Sequence, residues 1–220
     1  MASVMKHFIS IADTPRGTLD HIFDVAFALR KERRAGQANT PILAGQTLAM
    51  IFEKPSLRTR VSFEQAMLDL GGHGLVLGQH EIGLGKREPV ADVARVLAGM
   101  THGIAARVFE HQTLLDLAAH STVPVVNMLS DYSHPCQALA DAMTLMDEWG
   151  RDLTGRTLAF IGDGNNVARS LATLCGKLGM RFILASPPGY QLEMDLVERI
   201  MSQVPDATIE MTSDPREAVR

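Results

Sequence analysis

Two guanidinium groups and two hydroxyls fall within five residues, Ser56-Leu57-Arg58-Thr59-Arg60. The apolar run Thr47 to Phe52 precedes them, and Phe63, Met67 and Leu70 follow at helical spacing. Pro55 marks the join, and Ser56 stands where a helix N-cap belongs. A strand-to-helix join presents free N–H groups and the positive end of a dipole to whatever lies before it. Hydroxyls, guanidinium forks and dipole together suit an anion, above all phosphate. A capped helix carrying two solvated arginines is the competing explanation of the same residues.

A second group with chemical potential is Asp131-Tyr132-Ser133-His134-Pro135-Cys136-Gln137. It too lies where a strand gives way to a helix, the place where ligands bind in open parallel sheets. His134 can donate to a developing oxyanion, and Gln137 can offer carbonyl or amide from the same helix face. Pro135 suits a first helical turn. Cys136 has no identifiable activating partner and reads as a small packing residue rather than a nucleophile. His134 taken alone could equally be a capping or core histidine. Arg107 closes the apolar strand Ile104 to Phe109, which places its charge at the same end of the sheet; a surface ion pair is the competing explanation.

The last group is Phe160-Ile161-Gly162-Asp163-Gly164-Asn165-Asn166-Val167. Its G-x-G between strand and helix has the look of a dinucleotide fingerprint. Val167 occupies the third glycine position, however, and Phe182 to Ser186 ends without the acidic residue a ribose requires. Asn165 and Asn166 suit a ligand bearing both an amine and a carboxylate, since an amide donates and accepts, although asparagine N-capping competes. Gly83-Leu84-Gly85-Lys86 has neither the spacing nor the hydroxyl of a Walker A loop and reads as a mobile basic loop.

The elements that must position these groups alternate between strand and helix, which predicts α/β architecture with parallel sheets covered on both faces. A helix is expected over Thr18 to Arg34, ending before Gly36, and strands over Thr47 to Phe52 and Gly74 to Leu77. Another helix is expected to bury Val93, Val96, Leu97 and Met100. Further strands fall at Ile104 to Phe109 and Val123 to Met128, around a helical Leu114 to Ala119. A long helix runs from His134 to Trp149. Beyond a polar, glycine-bearing break at Gly150 to Gly155 come strands at Thr157 to Ile161, Phe182 to Ala185 and Ala207 to Met211. Helices fall between these strands, near Asn166 to Leu178 and Leu192 to Met201. Two doubly wound domains are therefore expected, residues 1–149 and 150–220. Pro215 to Arg220 begins a helix that goes nowhere, and two and a half βα units make a poor free-standing doubly wound domain, so the second domain is expected to be incomplete, with a C-terminal portion missing.

Hydrophobic residues make up 46% and charged residues 21% of the 220, enough for a real core and against disorder. Net charge is -4, which excludes a general basic field for nucleic acid or anionic membrane, so any positive patch must be local. Cys136 and Cys175 are too few for a disulfide framework or structural zinc site. Met1 to Phe8 carries no long apolar stretch, so no leader or membrane anchor is expected, and cytoplasm is the default.

Ser56-Leu57-Arg58-Thr59-Arg60, Arg107, His134-Pro135-Cys136-Gln137 and Gly162-Asp163-Gly164-Asn165-Asn166, in this order and spacing, resemble the aspartate/ornithine carbamoyltransferase family. Within it the ornithine branch is nearest in pattern. The resemblance implies two α/β domains, the first for carbamoyl phosphate and the second for the amino acid, and trimers with active sites between subunits. It implies that Ser56, Leu57, Arg58 and Thr59 hold the phosphate, and that Arg107 and His134 polarise the carbamoyl oxygen. Gln137 in the Pro135-Cys136-Gln137 run then orients the carbamoyl amide, and Asn166 takes the α-amino-acid end of ornithine. The implied product is citrulline, within arginine metabolism. A neutral amine attacking a carbonyl while phosphate leaves needs oxyanion stabilisation and alignment, not a covalent nucleophile, metal or cofactor. The chain departs from the pattern in Leu57, where the ornithine branch usually carries threonine, in Gly83, where the family often has a glutamine, and in lacking the later motifs. Ser-Leu-Arg-Thr-Arg is similar to the form in N-acyl-ornithine carbamoyltransferases, while Glu53-Lys54 favours ornithine. An aspartate carbamoyltransferase and a catalytically silent binding relative compete with the ornithine enzyme. A nicotinamide-dependent dehydrogenase is the weakest rival.

Overall fold

The computed structural model describes residues 6–220. Residues 1–5, which carry most of the expectation of no leader, lie outside the described residues. Chain contacts divide the described residues into two compact units, residues 6–9 with 17–131, and residues 10–16 with 132–220.

In the first unit, α1 (Arg16–Arg34) precedes β1 (Thr47–Phe52), α2 (Leu57–Asp69) and β2 (His73–Gly78). A single helical turn, α3 (Gln79–Ile82), then α4 (Val90–Met100) lead to β3 (Gly103–Arg107), α5 (His111–His120) and β4 (Val125–Leu129). The four strands are parallel in the order β2-β1-β3-β4. From β1 the chain first moves one way, to β2, and then returns to lay β3 on the other side. That reversal makes the carboxyl ends of β1 and β3 a topological switch point, where an open α/β sheet leaves a crevice. Phe8 adds a short parallel bridge to Val126, its N–H donating to Val125 O and its carbonyl accepting from Asn127 N–H, each at 2.8 Å.

Strand alternation sends side chains to two cores. Ile51, Ile104 and Ala106 pack with Val93 and Ala94 of α4 and Leu114 and Leu117 of α5. Met50, Phe52 and Ala105 pack the other way with Met128, and Phe63 of α2 lies against them. Both faces of the sheet are thus covered, as a parallel sheet requires. The expected buried face of α4 needs correction. Val93 and Ala94 are in the core with Leu97 and Val90 against it, whereas Val96 and Met100 are 51% and 77% exposed. Positions 90, 93, 94 and 97 form one helical stripe, and 96 and 100 lie on another. The Gly83 loop begins with the turn of α3, and its Leu84 is buried in the core. Gly83 and Gly85 take positive φ, 65° and 69°, which suits glycine where the chain reverses.

The second unit comprises α6 (Pro135–Trp149), β5 (Thr157–Ile161), α7 (Asn166–Lys177), β6 (Arg181–Ala185), α8 (Met194–Gln203), β7 (Thr208–Thr212) and α9 (Pro215–Ala218). Its three strands are parallel in the order β5-β6-β7. Ala218 of α9 packs with Ile183 and Ala185 on one face, while Phe182 and Leu184 face the other and are also buried. Nearly all of α7 from Ser170 to Gly176 is buried. Helix α6, which the sequence reading keeps with the first half, groups with this unit and packs on α7. The segment from Ser10 to Arg16 belongs to it as well. Lys177 Nζ donates to the carbonyls of Ile11, Ala12 and Thr14 at 2.8, 2.8 and 2.7 Å, so one ammonium fixes three backbone acceptors.

Candidate active site

At the switch point of the first unit, Ser56 is the N-cap of α2 in extended conformation. Its Oγ accepts from Thr59 N–H at 3.4 Å and donates to Thr59 Oγ1 at 2.9 Å. The N–H groups of Leu57 and Arg58 in the first turn have no intrahelical acceptor, and they carry the positive end of the helix dipole. A cavity of about 500 Å³ lies beside Ser56 and Leu57, lined also by Arg60, Gln79, His80 and Glu81.

Arg107 ends β3 in register with Phe52, the last residue of β1. The pairing of β3 with β4 slips between Ala106 and Arg107, and such an irregularity re-aims the side chain that follows it. The Nε of Arg107 is buried and has no protein acceptor among the described residues. Burial first, and the neighbouring charge of Arg58 second, hold the Arg107 guanidinium below its ordinary pKa. Lys54 is held below the usual lysine value by burial and then by Arg107, against opposing pulls from Asp131 and Glu53. Three cations therefore crowd one end of the sheet. Neither Arg58 nor Arg107 has an ion-pair partner among the described residues. Uncompensated positive charge of this kind marks a place built for an anion. Arg60, by contrast, pairs with Glu64 at 3.4 Å along α2, while also lining the cavity beside Ser56.

Sequence reasoning left two supporting residues out of this group. Glu53 N–H donates to Arg107 O at 2.9 Å, and Glu53 Oε2 accepts from Phe109 N–H at 2.7 Å, so Glu53 brackets the exit of β3. Lys54 lies 4.7 Å from the centre of the Phe109 ring, a cation–π placement. Both residues precede the motif, but nothing local connects them with a strand end more than fifty positions away.

The second unit holds His134, Pro135, Cys136, Gln137 and Asn166. His134 is the N-cap of α6, with Pro135 buried in the first turn. His134 N–H donates to Ser170 Oγ at 2.9 Å, and Ser170 Oγ donates to Asn166 O at 2.8 Å. One hydroxyl, buried to 3% exposure, thus joins the starts of the two helices that carry site residues. Ser170 gave no signal in sequence, since a serine inside a helix is ordinarily a neutral surface choice. Burial pushes the Cys136 thiol up to about 12, which keeps it protonated at neutral pH and leaves it poorly suited to nucleophilic attack. Gln137 is exposed, and its Nε2 donates to Asp141 Oδ1 at 2.8 Å.

Asn165 caps α7, its Oδ1 accepting from Val167 and Ala168 N–H at 2.9 and 3.1 Å while Nδ2 donates to Asp163. The capping role therefore takes Asn165, and Asn166 follows as the first helical residue. Gly164 has a packing reason. A Cβ there would meet Gln191 C and O at 2.7 Å, so the glycine admits the neighbouring backbone, and Gly164 N–H donates to Tyr190 O. That accounts for its G-x-G without a dinucleotide. No helix among the described residues is long and apolar enough to cross a membrane.

Comparison with known proteins finds a match in each half, with the division after α6 rather than before it. The family model for the carbamoyl-P binding domain of aspartate/ornithine carbamoyltransferase matches residues 6–147, and that for the Asp/Orn binding domain matches 154–220. The chain is 44% identical over 216 residues to an ornithine carbamoyltransferase of Anoxybacillus flavithermus, covering 97% of itself and 68% of that relative. It is equally 44% identical over 216 residues to one of Archaeoglobus fulgidus, covering 98% and 69%. The solved ornithine carbamoyltransferase of Pyrococcus furiosus superposes with a TM-score of 0.94 at 40% identity, over 98% of this chain and 69% of that one. With matches in both halves and across nearly all of its length, the chain belongs to the aspartate/ornithine carbamoyltransferase family.

Proposed function

We propose that the protein transfers the carbamoyl group of carbamoyl phosphate to the side-chain amine of L-ornithine, giving L-citrulline and phosphate. The cation cluster at the first unit's switch point carries the reading, because Arg107 lies in the field of Arg58 and Lys54 in that of Arg107, and a dianionic ligand relieves both. Ser56, Leu57, Arg58 and Thr59 hold the phosphate through hydroxyls, first-turn N–H groups and guanidinium. As the bond to phosphate breaks, negative charge grows on the leaving oxygen, and fixed donors there lower the barrier. Arg107 and His134 polarise the carbamoyl oxygen, where the attacking amine drives charge; one such donor is worth about 3 kcal/mol of barrier. Gln137, following Pro135 and Cys136, binds the carbamoyl amide, and Asn166 binds the amino-acid end of ornithine. Residues 1–149 serve carbamoyl phosphate and residues 150–220 the amino acid. The named relatives support ornithine over N-acyl-ornithine or aspartate as acceptor.

The finer expectations also stand as proposals: a place in arginine biosynthesis, a cytoplasmic protein, and assembly into homotrimers. A direct test pairs carbamoyl phosphate calorimetry with product analysis for ornithine, N-acetylornithine, N-succinylornithine and aspartate. Citrulline from ornithine is expected to be the dominant product. Arg58→Ala is expected to bind carbamoyl phosphate at least ~30-fold more weakly, the worth of a charge-assisted contact, with an unchanged melting temperature. Equal affinity of the variant and wild type refutes the phosphate site, and dominance of another acceptor refutes the substrate.

A further inference from the structure

Gln137 and Asp141 lie one turn apart on the same face of α6, joined by the 2.8 Å bond from Gln137 Nε2 to Asp141 Oδ1. An amide has two chemically opposite ends, and on its own it turns either one to a ligand. A carboxylate removes that freedom because it only accepts. With its NH2 end bound, Gln137 keeps Oε1 free to accept, and that oxygen has no protein donor among the described residues.

We propose that Asp141 is a specificity-determining residue, which fixes the Gln137 amide so that the site offers an acceptor to the NH2 of a carbamoyl group. The proposal rests on the reading above that Gln137 meets that group. An acyl phosphate with a methyl in place of the NH2 would set an apolar group against Gln137 Oε1 and offer that oxygen no donor. A site built to hydrogen-bond a substrate group discriminates strongly against the analogue without it. Half-burial also strains the Asp141 carboxylate, raising its pKa, while the Gln137 donor pulls the other way; the two side chains thereby hold each other. Nothing else in the first turns of α6 can set the polarity of this amide. Ala138 and Leu139 are apolar and buried, and the Ser170 hydroxyl is committed to His134 and Asn166.

The test is calorimetric titration of the chain with carbamoyl phosphate, acetyl phosphate and inorganic phosphate, for wild type, Asp141→Asn, Asp141→Glu and Gln137→Ala. The readout is the ratio of the acetyl phosphate to the carbamoyl phosphate dissociation constant. Asp141→Asn is nearly isosteric but can donate as well as accept, so it frees the amide to turn over. It is expected to lower the ratio about fivefold, the worth of one hydrogen bond, with phosphate affinity unchanged. Asp141→Glu keeps an accept-only partner and is expected to retain most of the ratio, which a helix-stabilising role alone would not require. Gln137→Ala is expected to lower the ratio at least as far as Asp141→Asn. An unchanged ratio in Asp141→Asn, beside a lowered one in Gln137→Ala, overturns the role of Asp141. An unchanged ratio in Gln137→Ala overturns the underlying contact, and the proposal with it.

Discussion

Lys54 shows most clearly how one residue serves binding at the expense of folding. Its ammonium is partly desolvated, lies near Arg107 and rests on the Phe109 ring. A lysine whose folded pKa is lowered binds fewer protons when folded than when unfolded, over the range between the two values. Stability therefore rises with pH as the folded pKa is passed on the way to the ordinary lysine value, and at neutral pH the full penalty is present. Lys54→Met removes the charge but keeps contact with the ring. It is expected to raise the ligand-free melting temperature at neutral pH by about 2 °C. It is also expected to weaken carbamoyl phosphate binding about tenfold. The stability difference should shrink as the pH climbs toward the ordinary lysine value, measured by thermal melts across pH. A variant that melts lower than wild type at neutral pH without ligand contradicts the assignment.

Between elements, the decisive contact of the second unit is the Ser170 hydroxyl joining the starts of α6 and α7. Removing it strands a His134 N–H at a helix start, and a buried orphan donor costs about 1–3 kcal/mol. Ser170→Ala is expected to lower the melting temperature by about 4 °C, and to speed hydrogen exchange at the His134 amide. Faster exchange elsewhere in α7 with no change at His134 would mean that the serine only fills space. In the first unit the bracket from Glu53 to Phe109 plays the comparable part, fixing the end of β3 beyond the irregularity that re-aims Arg107. Strands read well from sequence, since β1 and β5 fall at their expected limits and the others within two residues. The buried face of α4 was less legible. All four apolar positions expected there fit helical spacing, and only the placement of α5 and the sheet decides which stripe is covered.

At the scale of the molecule, a chain of net charge -4 concentrates unpaired cations at one sheet end. On the proposed reading, long-range attraction for the anion is therefore modest, and the local cluster is expected to supply most of the binding. Exposed charges are screened over about 10 Å at roughly 0.1 M salt, whereas half-buried ones are screened less. Raising sodium chloride from about 0.05 M to about 0.5 M is expected to weaken carbamoyl phosphate binding by less than roughly tenfold. A loss of about a hundredfold or more, read by calorimetry, would place the affinity in solvated surface charge instead.

The sequence by itself determined the alternation of strand and helix, the parallel sheets, and the residue types of the turn proposed to hold phosphate. Those follow from side-chain periodicity and from the local chemistry of an N-cap, neither of which needs distant neighbours. Local chemistry alone left Arg58 and Arg60 equivalent and Asn165 and Asn166 equivalent, where the family resemblance named Arg58 and Asn166, and it gave no part to Ser170 or Asp141. Tertiary structure separated them. Strand order set Arg107 beside the start of α2, Glu64 gave Arg60 an ion-pair partner that Arg58 lacks among the described residues, and capping took Asn165. The physical reason is that the pKa of a cation and the free end of an amide depend on groups brought near by packing, and packing is not a local property of the chain.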